Sequence, residues 1–290
     1  MDNYTSWFTP DRDGKIRINS ILIYKSLSSQ IITKLDSNTS VNEIVRWIKH
    51  ETIEAFKIKY KKQPEVGALN NASGRWNEFL ATSLLSEIVV DLNIENKLCI
   101  IIFSLPNSQV QSNKDIAYSK FIGLFHKNEI DTKQALSKIE PFQNNIFLPS
   151  PDYIIAVLNQ ESIFTQVQRL LKAQVREPDS LALYDLLKGR LHLAEVKAAI
   201  SLKTSNRSDR RYQPLFEAAM IKAISHLLEQ NWRYYMVVSE LTDADRTIFC
   251  QAIAPHGIAL RQNFSLVDGT YLYNRKADLI PLVEAAIKVS

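Results

Sequence analysis

A Pro-Asp pair, Pro151-Asp152, opens the apolar run YIIAV at 153–157, and a second run, AAISLK at 198–203, ends on Lys203. Both runs have the length and the β-branched content of strands. Strand alternation sets Ser201 and Lys203 on one face of the second run and Leu202 on the other. The helix expected to follow carries Glu217 about two turns in, where it can lean back over the strand end. Two carboxylates and a lysine brought together in this way suit phosphodiester hydrolysis. That reaction needs an ion to activate water and to offset charge developing on the phosphate. Mg²⁺ is a hard ion that takes one or two carboxylates, with water and phosphate completing its octahedron. Asp152 and Glu217 are the ligands in this scheme, and Lys203 orients the attacking water. Each element also has a plain reading: the Pro-Asp as a turn opener, the lysine as a solvated strand-edge charge, the glutamate as helix surface.

A rival lies in the same chain. Glu195-Val196-Lys197 is a literal ExK placed after a PD, and it resembles the usual signature of the PD-(D/E)xK nuclease superfamily. In the alternative using Lys203, Ser201 stands where that glutamate would be. Positions 195, 197, 201 and 203 share parity, so alternation alone leaves both assignments open.

The composition sets the frame around these residues. At 290 residues, 46% of them hydrophobic and 23% charged, the chain can bury one sizeable core and is not a disordered one. The net charge of +4 permits nucleic-acid binding without arguing for it. Cys99 and Cys250 lie far apart, each in an apolar run and neither in a CxxC pair. A structural zinc site and a disulfide framework are therefore not expected. The first fifteen residues are polar and the longest apolar runs, such as 98–103, are too short for a membrane span. A soluble chain in a reduced, cytoplasmic setting is the expectation, with no membrane partner.

The elements that must position the site can be read in order. Val41 to Tyr60 reads as an amphipathic helix opened by a Ser40/Glu43 capping box. Residues 66–73 read as a small, polar stretch, and 75–90 as a second helix. Residues 97–105, 151–158, 195–203 and 234–238 read as strands. Helical segments are expected at 209–230 and 278–288, and 160–190 reads as a partly helical excursion between core strands. Pro214 is placed in the first turn of its helix, where early amides lack acceptors anyway. The pattern predicts an α/β (α+β) fold, a mixed central sheet flanked by helices. We expect a single domain over 1–290, with an N-terminal helical subdomain at about 1–95 and a core at about 96–290.

The block KTSNRSDRRYQ at 203–213, with Glu217 fourteen residues beyond the lysine, closely resembles the CCGG-cutting type II restriction endonucleases, the group that includes NgoMIV and SgrAI. Those enzymes carry an SxK strand end, then R-x-D-R, then a helix whose glutamate replaces the acidic residue of ExK. NNASGRWNE at 70–78 looks like the family's glycine-aromatic-x-Glu helix start, and PSPD at 149–152 like its strand-opening PD. These blocks occur in the family's order over roughly 65–230. GKIRI at 14–18 is a fainter likeness, and 118–140 and 160–190 align with nothing in the family. Ser208 stands where relatives often have proline.

The resemblance implies a PD-(D/E)xK core, a Mg²⁺ cofactor and double-stranded DNA as substrate. It favours Lys203 over Lys197 and leaves Glu195 and Lys197 as charges behind the site or on the surface. It adds Glu78 to the catalytic and metal-binding set of Asp152, Lys203, Glu217 and Ser201. It also makes Arg207, Asp209 and Arg210 the base readers, and it places Asn71, in the loop before the Glu78 helix, at the base pair outside the core. Arginine pairs with guanine O6 and N7, and aspartate accepts from cytosine N4. The three residues together suit half of a CCGG palindrome, and a two-fold dimer, or a dimer of dimers, would supply the other half. A basic helix start that touches only phosphate is the plainer alternative. Cleavage would leave 5′ overhangs and 5′-phosphates. Two other functions stay open from sequence: a PD-(D/E)xK nuclease of repair or recombination using Glu195 and Lys197, and a DNA-binding module that does no chemistry.

Overall fold

The computed structural model describes residues 5–96, 98–106, 120–126, 128–129, 150–204 and 208–288. The chain divides into two compact units, residues 1–81 with 273–275, and 82–272 with 276–290.

The first unit is mainly helical. A short antiparallel pair, β1 (Phe8–Pro10) and β2 (Ile16–Ile18), precedes α1 (Ser20–Ser26), α2 (Ser28–Asp36) and α3 (Val41–Tyr60). Helix α3 starts where its capping box directs: the Ser40 hydroxyl accepts from the Glu43 amide at 3.3 Å, and the Glu43 carboxylate accepts from the Ser40 amide at 3.0 Å. Ile44 and Ile48, one turn apart, are fully buried. The next helix, α4 (Val66–Asn96), begins nine residues before the expected 75. Leu69, Ala72 and Trp76 fall at helical spacing and all are buried, so packing overrides the Gly, Asn and Ser content of 66–74. The Trp76 indole donates to the Ser20 carbonyl at 3.0 Å, pinning this helix to the start of α1.

The second unit is built on one five-stranded sheet in the order β3 (Ile100–Ser104), β4 (Tyr153–Val157), β5 (Val196–Lys203), β6 (Arg233–Val238), β7 (Gly269–Leu272). β3, β4 and β5 run antiparallel, while β5, β6 and β7 run parallel. The expected mixed sheet flanked by helices is found. β6 is buried at every position after Arg233, as a strand covered on both faces must be. Helices α5 (Phe164–Arg176) and α6 (Ala182–Leu187) fill the excursion between β4 and β5. Helix α7 (Ser208–Leu227) makes the crossover from β5 to β6, and α8 (Asp243–Gln251) and α9 (Pro255–Leu260) lie between β6 and β7. Helix α10 (Lys276–Ile287) closes the chain.

Polar staples join the outer strand β3 to its helices. Asn93 of α4 exchanges two bonds with the Ile100 backbone, and Gln174 of α5 reaches both Ser86 and the Ile102 carbonyl.

The structure corrects several sequence expectations. β7 was not anticipated, because four residues carry too little periodicity to register. Pro214 lies in the second turn of α7, since the helix opens at Ser208; its ring removes the amide that would have bonded to the residue 210 carbonyl. Of the two cysteines, Cys99 is buried and Cys250 is exposed on α8. Among the described residues, no helix is long and apolar enough to cross a membrane.

Candidate active site

Because β4 and β5 are antiparallel, the start of one lies beside the end of the other, and Tyr153 pairs with Ile200. Asp152, one residue before β4, therefore meets the last residues of β5. Its Oδ2 accepts from the Leu202 amide at 2.7 Å and from the Ser201 hydroxyl at 3.3 Å, and the Lys203 ammonium stands 3.5 Å away. The Asp152 carbonyl accepts from the Leu105 amide, fixing the same corner to β3. Ser201 is fully buried, whereas the Asp152 and Lys203 side chains are 38% and 26% exposed. The carboxylate and the ammonium thus sit at an opening to solvent over a buried floor.

Glu217 reaches this corner from α7. Its Oε1 accepts from the Ser150 amide at 3.2 Å and its Oε2 from the Tyr234 hydroxyl at 2.8 Å. Burial pushes the Glu217 carboxyl above the usual carboxylate range; the Tyr234 hydrogen bond opposes that shift, the Asp152 charge adds to it, and Lys203 offsets it. Tyr234 is itself pushed well up, first by burial and then by the Glu217 charge. One residue holds the supporting helix in place. Asp268 accepts from the Tyr234 amide at 2.6 Å and pairs with Lys222 of α7 at 2.5 Å. Tyr234, Lys222 and Asp268 escaped sequence reasoning. The only signal was a polar-tipped aromatic in an apolar strand, which needs a partner when buried.

The literal ExK lies at the other end of β5. Glu195 is fully buried, and its carboxylate accepts from the Asn159 and His192 amides, each at 2.9 Å. It is thus neither a surface charge nor a neighbour of Asp152; it ties the end of β4 to the start of β5. The Lys197 ammonium donates to the Ala194 carbonyl at 2.7 Å. At about 3.3 Å per residue, Lys197 stands on the order of 15 Å along the strand from the Asp152 corner. The shared parity of 195, 197, 201 and 203 does not survive either. Ile155 pairs with Ala198 but Ala156 with Val196, so the register slips by one residue at Lys197.

The other candidates are carried by helices α4 and α7 or fall outside the described residues. Glu78 is on α4 in the first unit, paired with Arg75 at 2.5 Å. Asn71 is exposed within the same helix, not in a loop before it. Arg207 lies outside the described residues; Asp209 and Arg210 open α7, and their side chains are likewise outside the description. Among the described residues, no group of three or more His, Cys, Asp or Glu is disposed to hold a metal ion. Asp152 and Glu217 stand as a pair of carboxylates.

Residues 2–289 match the family model described as Cfr10I/Bse634I restriction endonuclease. The chain belongs to that family. This restriction endonuclease is 24% identical over 284 residues to the type II restriction enzyme Cfr10I of Citrobacter freundii, covering 92% of this chain and 93% of that protein. Among solved structures it resembles Bse634I with cognate DNA, with a TM-score of 0.74 at 20% identity and 97% of each chain covered. A second Bse634I structure gives a TM-score of 0.72 at the same identity. At that identity the likeness carries the fold alone. The restriction endonuclease is thereby placed in the Cfr10I/Bse634I family; the sequence resemblance had pointed to the NgoMIV and SgrAI group.

Proposed function

We propose that this restriction endonuclease is a Mg²⁺-dependent type II enzyme that hydrolyses double-stranded DNA at a palindrome containing CCGG, leaving 5′ overhangs and 5′-phosphates. The observation that carries the reading is the meeting of Asp152, Ser201 and Lys203 at one strand corner, with Glu217 close enough to feel both charges.

The donor set suits a hard divalent ion. Among the described residues the hydrogen bonds to Asp152 fall on Oδ2, leaving Oδ1 on a partly exposed carboxylate without one. Glu217 is pushed up in part by the Asp152 charge, a repulsion that a cation between the two would relieve. Asp152 and Glu217 would hold Mg²⁺, which takes one or two carboxylates and keeps several waters. When bound, the ion supplies Lewis-acid stabilisation of the phosphate and a more acidic water. The chain does the rest. Lys203 offsets charge on the phosphate and orients the attacking water. Ser201 and the Leu202 amide hold Asp152 in its rotamer.

Recognition rests on the resemblance of 203–213 to the NgoMIV and SgrAI group. Arg207, Asp209 and Arg210 read the core, Asn71 touches the flanking base pair, and Glu78 adds an acidic residue near the metal. The likeness to Bse634I solved with its cognate DNA supports duplex DNA as the partner. A homodimer or dimer of dimers in the cytoplasm matches a palindromic target.

Digestion of a sequenced plasmid with Mg²⁺, with the cut ends mapped, tests the proposal. Discrete fragments whose ends all carry CCGG and a 5′ overhang are expected. A smear, or ends lacking CCGG, would overturn the base-reading assignment.

A further inference from the structure

Glu217 poses a problem of geometry. It is borne on a helix, its side chain has three rotatable bonds, and it must still face a fixed point at the ends of two strands. A strand carboxylate would be oriented by the pleat itself, but one on a helix needs outside anchors. Among the described residues there are two: the Ser150 amide on Oε1 and the Tyr234 hydroxyl on Oε2. The first belongs to the chain leading into Asp152. The second comes from the middle of the sheet, since Tyr234 on β6 pairs with Ala199 of β5 and is fully buried.

Ser201 on the adjoining strand, whose hydroxyl donates to Asp152 at 3.3 Å, also draws the Tyr234 pKa down against its burial. Ser201 thus bonds to Asp152 and Tyr234 to Glu217, so that neighbouring strands β5 and β6 each serve one of the two carboxylates. A carboxylate can only accept, so the Tyr234 proton is directed to Glu217. Asp268 fixes both ends of this arrangement, taking the Tyr234 amide and the Lys222 ammonium on the helix that bears Glu217.

We propose that Tyr234 is a positioning residue of this nuclease, whose hydroxyl orients the Glu217 carboxylate toward Asp152 for divalent-cation binding. The inference rests on Glu217 being a metal ligand, and the experiment separates the two ideas. Groups that orient a ligand in this way are worth about 10–100-fold in metal affinity or activity.

The test uses Tyr234→Phe, which keeps the ring and removes only the hydroxyl, beside Glu217→Gln and the double variant. Mn²⁺ binding to the full-length protein on an uncleavable duplex is followed by the loss of the free-ion EPR signal. Thermal midpoint and metal-free DNA affinity are measured on the same samples. In Y234F, Mn²⁺ affinity is expected to fall about 10-fold or more, and the Mg²⁺ concentration for half-maximal cleavage to rise in step, while DNA affinity stays at the wild-type value. In the E217Q background, Tyr234→Phe should change metal affinity no further, because its route to the ion is gone. That variant also leaves no charged partner behind at the missing hydroxyl, so it keeps the comparison available should Y234F alone fold poorly. Unchanged Mn²⁺ affinity in Y234F with a large loss in E217Q would overturn the role of Tyr234 and leave the metal site standing. A loss from Tyr234→Phe of the same size in both backgrounds would overturn it as well. Unchanged affinity in all three variants would remove Glu217 as a ligand, and the proposal with it.

Discussion

Substituting Glu195 separates the two ends of β5. If the literal ExK were catalytic, Glu195→Gln would leave a stable protein without activity. The geometry says the reverse. The Glu195 carboxylate is fully buried and receives two amides, Asn159 and His192, at 2.9 Å each. Glutamine keeps one acceptor and turns an NH₂ group toward the other amide, so one charge-assisted bond is lost. Such a bond is worth about 1.5–3 kcal/mol, and an alanine would forfeit roughly twice that by leaving both amides unanswered. At about 2–4 °C per kcal/mol for a chain of this size, the glutamine variant should melt roughly 3–12 °C lower. Thermal unfolding of the metal-free protein by circular dichroism reads the shift. Cleavage per folded molecule, measured well below the transition, should match wild type. A Glu195→Gln protein as stable as wild type but unable to cut DNA would refute this reasoning and return the chemistry to Glu195 and Lys197.

Asp152→Ala should abolish cleavage while a gel-shift titration without metal shows near-normal DNA binding, because phosphate contacts carry affinity; full activity in the folded variant would sink the assignment. Glu78→Gln should raise the Mg²⁺ needed for half-maximal cleavage without changing the mapped site, and an unchanged titration would exclude that role. The hydrogen bond that His192 donates to Glu129 raises the His192 pKa above its ordinary value. A raised folded-state pKa means that this stabilisation is complete below the unfolded-state value and is lost as pH rises through the folded one. The effect is small because the imidazole is half exposed, and the gap in melting temperature between Glu129→Gln and wild type should narrow as pH increases without closing, since Glu129 also accepts from the Leu193 amide at 2.7 Å. A gap that widens with pH would contradict that pairing.

Much of this molecule was legible because local chemistry and tertiary packing agreed. Helix α3 matches the expected Val41–Tyr60, since the Ser40/Glu43 box marks its start in the sequence itself. The apolar runs of β4 and β5 likewise announced the strands whose ends bring Asp152 to Lys203. Disagreement arose where packing outvoted composition. Residues 66–74 carry two glycines and two asparagines, yet they form helix because Leu69, Ala72 and Trp76 find burial. A register slip at Lys197 cannot be seen in a period-two pattern, and it is what takes 195 and 197 out of step with 201 and 203. Tyr234 looked like any strand aromatic, because the carboxylate it serves lies seventeen residues earlier on a different element.

Single-turnover cleavage of a CCGG-containing duplex by Lys203→Ala and Lys197→Ala, side by side at saturating Mg²⁺, decides which end of β5 carries the chemistry. No detectable cleavage is expected from the Lys203 variant and a wild-type rate from the Lys197 variant. An active Lys203→Ala enzyme beside an inactive Lys197→Ala enzyme would contradict that expectation.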